Sequence, residues 1–193
     1  MEKFTSLTSQ LIPLDIDNVD TDMIIPAQYL KSISQTGYGK HLFAALRELY
    51  PDFIFNNPKY KSAQILISKT NFGCGSSREH AVWAINQYGI KVVICSSFSD
   101  IFFNNSAKNG LLLISLPEDV INSWIKVSLL DATLEMTIDL ENQQVIFLGK
   151  SYNFSYDPYR KHCLINGQDD LDYLISCNKN ITDYEKKHSN LSR

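Results

Sequence analysis

The sequence has no long apolar runs. Nothing in it approaches the ~18 consecutive apolar residues of a membrane-crossing helix. The opening "MEKFTSLTSQLIPLDID" has no uninterrupted apolar segment of signal-peptide length, so a cytoplasmic location is expected. No C-x-x-C pair occurs among Cys74, Cys95, Cys163 and Cys177, so neither a zinc ribbon nor a self-contained iron–sulfur site is signalled. Without a secretory signal the thiols are expected to stay reduced. His41, His80, His162 and His188 show no metal-ligand spacing with one another or with a cysteine. Positive charge is not in excess: the formal net charge of −3 gives no electrostatic reason to expect nucleic acid or an anionic membrane as partner. Internal repeats and linkers rich in Gly, Ser or Pro are absent too. The 193 residues are therefore read as one domain over 1–193, with the polar stretch 178–193 expected to fray.

What is present is an α/β pattern. The runs "AQILIS" (63 to 68), "KVVICS" (91 to 96) and "LLLIS" (111 to 115) are short, apolar and bounded by polar residues, as strands of a parallel sheet buried on both faces should be. Between the first two, Ala81, Ala84, Ile85 and Tyr88 fall at helical spacing, and Gly89 supplies a stop. Between the second and third, "SDIFFNNSAKNG" is again a helix-length segment ending at a glycine. "LIPLDI" (11 to 16) reads as a further strand. Residues 26 to 50 read as mostly helical, interrupted at "TGYG". "ATLEMTID" and "QQVIFL" read as a β-hairpin.

The stretch "NFGCGSSREHAVWAI", residues 71 to 85, carries the densest chemistry. Ser76 followed three residues later by Glu79 spells a capping box, with Gly73 and Gly75 allowing a sharp strand-to-helix turn. The same turn also reads as an anion site. A helix N-terminus offers free N–H groups and a positive dipole end, and Arg78 adds a planar fork for a carboxylate. A serine can act as a base only where amide N–H groups and a cation stabilise its alkoxide. The P-loop and dinucleotide patterns both fail here, the first for want of a lysine and the second because Arg78 stands where the third glycine belongs. Cys74 lacks a histidine at hand and reads as a packed thiol. The acidic group Asp15, Asp17, Asp20 and Asp22 has neither the glycine nor the terminal glutamate of a calcium loop. On these residues alone, helix cap and anion site both stand.

Four blocks together resemble a known family. "NFGCGSSREHAVWAI" looks like the active-site turn of the aconitase-like hydro-lyases in their small, separate-subunit form. "DNVDTDMIIPAQYL" (17 to 30) matches that family's N-terminal signature, "FFNNSAKNGLLLI" (102 to 114) a further block, and "DPYRKHCLINGQDDL" (157 to 171) the C-terminal block of its leucine-pathway members. The resemblance implies a β/β/α swivelling-domain fold. It also implies an isomerisation of 2-isopropylmalate to 3-isopropylmalate by loss and re-addition of water. The Lewis acid it implies is a 4Fe-4S cluster held by a large partner subunit, with no cofactor bound by this chain. Carried over by motif position, Ser76 would be the catalytic base, Arg78 would bind a substrate carboxylate and Ser77 would hydrogen-bond beside it. The segment after "TDMIIP" would wall the substrate's alkyl group through Tyr29, Leu30 and Ile33, with Lys31 as a departure from a purely apolar loop. The rivals are a homologous subunit acting on homocitrate or citramalate, and a non-catalytic anion-binding module.

Overall fold

The computed structural model describes residues 1–30 and 36–188. Lys31 and Ile33 lie outside them. The chain opens with strand β1 (Ser6–Leu14), the short helix α1 (Thr21–Ile24) and helix α2 (Ala44–Leu49). Three strand–helix units follow: β2 (Ile65–Ser68) and α3 (Glu79–Tyr88), β3 (Val92–Cys95) and α4 (Asp100–Lys108), β4 (Leu112–Ser115) and α5 (Glu118–Leu130). The antiparallel strands β5 (Glu135–Asp139), β6 (Gln144–Phe147) and β7 (Lys150–Asn153) come next. Helices α6 (Pro158–Asn166), α7 (Asp170–Ser176) and α8 (Asn178–His188) close the described chain.

The seven strands of the described residues form one sheet in the order β4-β3-β2-β1-β5-β6-β7. Strand β1 joins its two halves. Leu11 to Leu14 pair parallel with Ile65 to Ser68, whereas Ser6 to Gln10 pair antiparallel with Asp139 to Glu135. The parallel half is buried on both faces because its side chains alternate. Leu66, Val93 and Leu113 enter one apolar cluster with Ala81, Val82 and Ile85 of α3. Their neighbours Ile65, Ile67, Val92, Ile94 and Leu112 enter a second cluster with Ile121, Trp124 and Ile125 of α5. A period of two in the strands thus meets a period near 3.6 in the helices. The second cluster continues under the hairpin through Met136, Ile138, Val145 and Phe147.

The α/β expectation holds, including the three parallel strands, the two helices ending at glycines and the hairpin. Gly89 takes a left-handed φ of 111° and closes α3. The 26-to-50 stretch differs from expectation. Its described residues hold only short 3-10 turns at Ala27–Tyr29 and Gly39–His41, and the six-residue α2. Pro26 and the glycines at 37 and 39 break the backbone too often for longer helices. The tail expected to fray is helical over Asn178–His188.

Candidate active site

The turn between β2 and α3 is held from two sides. On one side, residues 15 to 22 run alongside residues 69 to 76. Lys69 Nζ pairs with Asp15 at 2.6 Å, Asn18 N–H donates to Thr70 O at 2.9 Å, and Gly73 N–H donates to Val19 O at 2.7 Å. Thr21 N–H then donates to Cys74 O, and Thr21 Oγ1 to Ser76 O, both at 3.0 Å. On the other side, Ser99, which caps α4, donates its hydroxyl to Gly73 O at 2.6 Å. The ring of Phe102 fills the space where a side chain at residue 73 would stand. Gly73 and Gly75 have φ of 74° and 87°, so the backbone itself requires glycine there.

This frame presents Ser76 and Ser77 exposed to solvent, and Arg78 partly buried. Neither serine hydroxyl has a protein partner among the described residues, and the backbone N–H groups of Gly75, Ser76 and Ser77 donate to no other protein group. Arg78 forms an ion pair through Nη1 with Asp22 Oδ1, on the first turn of α1. The guanidinium is thereby oriented while its other nitrogens stay available.

The capping box does not form. Arg78, not Ser76, is the N-cap of α3, and no side chain caps it. Glu79 is engaged elsewhere: Asn109 Nδ2, just past α4, donates to Glu79 Oε1 at 2.8 Å. The helix therefore starts later than the motif suggested, and the Ser76 hydroxyl is left unspent.

Cys74 is half-buried, and burial, with the Asp20 carboxylate beside it, pushes its thiol up from the usual range. His80 gives it no base, since the imidazole packs edge-on against Trp83 and Tyr38 at ring distances of 4.7 and 5.2 Å. Leu30 follows the 3-10 turn and is half-buried against the first apolar cluster. Among the described residues no hydrogen bond ties it to the serine turn; its own N–H returns to Ala27 O. Asp22, read from the sequence as part of an incomplete calcium loop, and Thr21, which the sequence did not single out, both bond to the serine turn. The signal was present in "DNVDTD", but only the fold shows that it lies against the turn.

Among the described residues, no three of His, Cys, Asp and Glu gather where they could hold a metal ion. The four thiols are free, and Cys95 and Cys163 are buried. The donors needed for an iron–sulfur cluster are thus not assembled by these residues.

Comparison with known proteins gives the family of the chain. Residues 1–119 match the aconitase C-terminal domain. The 3-isopropylmalate dehydratase small subunit of Francisella tularensis subsp. novicida is 57% identical over 175 residues, which cover 91% of this chain and 92% of that protein. The chain belongs to the family of 3-isopropylmalate dehydratase small subunits. A second small subunit, from Paramagnetospirillum magneticum, is 47% identical over 198 residues, covering 100% of this chain and 98% of that protein. A crystal structure of 3-isopropylmalate dehydratase from a Methanocaldococcus jannaschii strain superposes with a TM-score of 0.67 at 28% identity, covering 93% of this chain and 99% of that one. The fold class expected from the four blocks, the mixed α/β domain of the aconitase-like enzymes, is therefore the observed one. In this small-subunit family member, the family match takes in β1 through β4 and the whole serine turn.

Proposed function

We propose that this chain is the small subunit of a heteromeric hydro-lyase that isomerises 2-isopropylmalate to 3-isopropylmalate in leucine biosynthesis. The observation that carries the reading is the turn itself. It holds two exposed serines, without side-chain partners among the described residues, and an oriented arginine on one loop at the N-terminus of α3. Isomerisation by elimination needs a base for the carbon-bound proton and a Lewis acid for the leaving hydroxyl. A 4Fe-4S cluster on the large subunit would supply the second, and this chain supplies the first.

In the proposed mechanism Arg78 grips a substrate carboxylate through the nitrogens that Asp22 leaves free, and Ser77 hydrogen-bonds beside it. Ser76 Oγ, as alkoxide, accepts the carbon-bound proton, with charge stabilised by the unpaired amides of the turn and by Arg78. It returns the proton to the neighbouring carbon when water re-adds. Leu30 contributes apolar wall to the alkyl group. The reaction takes place in the cytoplasm on a small hydroxy diacid, with the large subunit as obligate partner.

The test is reconstitution. The purified chain alone should show neither iron–sulfur absorption nor turnover, and activity on isopropylmalate should appear on mixing with the cluster-loaded large subunit. Ser76→Ala should lower kcat by about 10²–10⁴-fold while the complex still assembles. Turnover by the isolated chain, or near-normal turnover by assembled Ser76→Ala, would overturn the assignment. A complex preferring homocitrate or citramalate would overturn the substrate. A complex with no dehydratase activity would leave an anion-binding module.

A further inference from the structure

Thr21 is almost wholly buried, at 2% exposure, although it stands at the start of a four-residue helix on the rim of the site. Its two polar groups reach across to the serine turn. The N–H donates to Cys74 O and the hydroxyl donates to Ser76 O, each at 3.0 Å, so the two bonds straddle Gly75. With φ of 87° and no side chain, Gly75 is the freest joint of the loop. The structure therefore restrains the loop on both sides of the residue that would otherwise let it move.

We infer that Thr21 is a positioning residue that fixes the peptide between Ser76 and Ser77, and through it the proton-transferring hydroxyl of Ser76. This rests on the reading of Ser76 as base. A trans peptide is planar, and its C=O and N–H point in opposite directions. The Thr21 hydroxyl draws the Ser76 carbonyl inward, so the Ser77 N–H is turned to the solvent-open side of the turn. There it has no protein acceptor among the described residues, and it serves anionic oxygen of base or substrate. The Arg78 guanidinium does not depend on this bond, because Asp22 orients it separately. Loss of the Thr21 hydroxyl should therefore disturb proton transfer far more than carboxylate binding.

The fold should tolerate that loss. Arg78 N–H also donates to Ser76 O, at 2.8 Å, so removing the hydroxyl strands no acceptor. The decisive comparison is Thr21→Ser against Thr21→Ala in the assembled complex, since both lack the methyl group and only one keeps the hydroxyl. Thr21→Val, which keeps the shape, is the third variant. Thr21→Ser should keep kcat within about threefold of wild type. Thr21→Ala and Thr21→Val should lose about tenfold to a hundredfold in kcat, the scale expected for misplacing a reacting group by about an ångström, with KM changed by less than about threefold. In a Ser76→Ala background the Thr21 substitutions should cause no further loss, because the residue acts through Ser76. Equal kcat for Thr21→Ser and Thr21→Ala, a loss confined to KM, or losses that multiply with Ser76→Ala would each overturn the inference while leaving Ser76 as base. If Ser76→Ala itself turns over normally, the base assignment fails and the inference with it.

Discussion

Gly73→Ala tests how tightly the turn is built. Residue 73 has φ of 74°, a left-handed conformation that costs an L-residue about 1–2 kcal/mol. A methyl group there would also stand 2.2 Å from Cγ of Phe102 and 2.6 Å from its Cβ and Cδ1. Phe102 cannot swing away easily, being 2% exposed and packed against Phe72 at a ring distance of 5.5 Å. Overpacking of this kind costs about 1–3 kcal/mol, so the substitution should destabilise the chain by about 2–5 kcal/mol in all. For a chain of this size each kcal/mol lowers Tm by about 2–4 °C, and a fall of about 10 °C is expected. Gly75→Ala is the internal control. Its φ is 87°, but the added methyl group would meet Asp20 Cβ at 3.6 Å and Thr21 Oγ1 at 3.9 Å, both ordinary contacts. It should carry the backbone cost alone and melt several degrees above Gly73→Ala. Thermal unfolding of both variants by circular dichroism makes the comparison. Equal melting temperatures, or a milder effect at residue 73, would refute the account of Phe102 as the wall behind the turn. Adding Phe102→Ala to Gly73→Ala should give less than the sum of the two single effects.

The remaining predictions concern the site. Arg78→Lys should raise KM about tenfold to a hundredfold, with a smaller effect on kcat, because a point charge cannot keep Asp22 on one nitrogen and a carboxylate on the others; unchanged KM in the assembled complex would count against carboxylate binding. Cys74→Ser and Cys74→Ala should retain substantial activity, and the Cys74 thiol should react slowly with iodoacetamide at pH 7, since burial and Asp20 hold it protonated; a loss of activity as deep as that of Ser76→Ala would make the thiol the reacting group. Leu30→Arg should reduce kcat/KM for isopropylmalate more than for a homocitrate-like tricarboxylate, by tenfold or more on the ~1–3 kcal/mol a fitted methylene is worth. Equal losses on both substrates would mean that Leu30 does not read the alkyl group.

The parallel half was legible because its signals are local. A run such as "ILIS", buried at every position, declares a central strand, and Gly89 ends its helix by a conformation that other residues resist. What was missed depends on partners far along the chain. The capping box failed because Glu79 is taken by Asn109, thirty residues away. Asp22 looked like a fragment of a cation loop until the fold set it against Arg78, 56 positions on. Helix α5 carries a local signal of the same kind, with Ile121, Trp124, Ile125 and Ser128 buried at helical spacing. The serine turn stood out as a candidate site because its loop, cation and hydroxyls are contiguous in the sequence.

The divided pairing of β1 bears on how the chain is made. A ribosome delivers Ser6 to Gln10 well ahead of their ladder partners, Glu135 to Asp139, which follow about 125 residues later. At about 5–20 residues per second, that edge stays open for roughly 6–25 s during synthesis. An open apolar edge would recruit other nascent chains. The waiting segment is instead "SLTSQ", with one leucine among four polar residues, while the apolar "LIPL" beside it is covered as soon as β2 emerges. The polarity of the first half of β1 is thus suited to the interval before its partner exists.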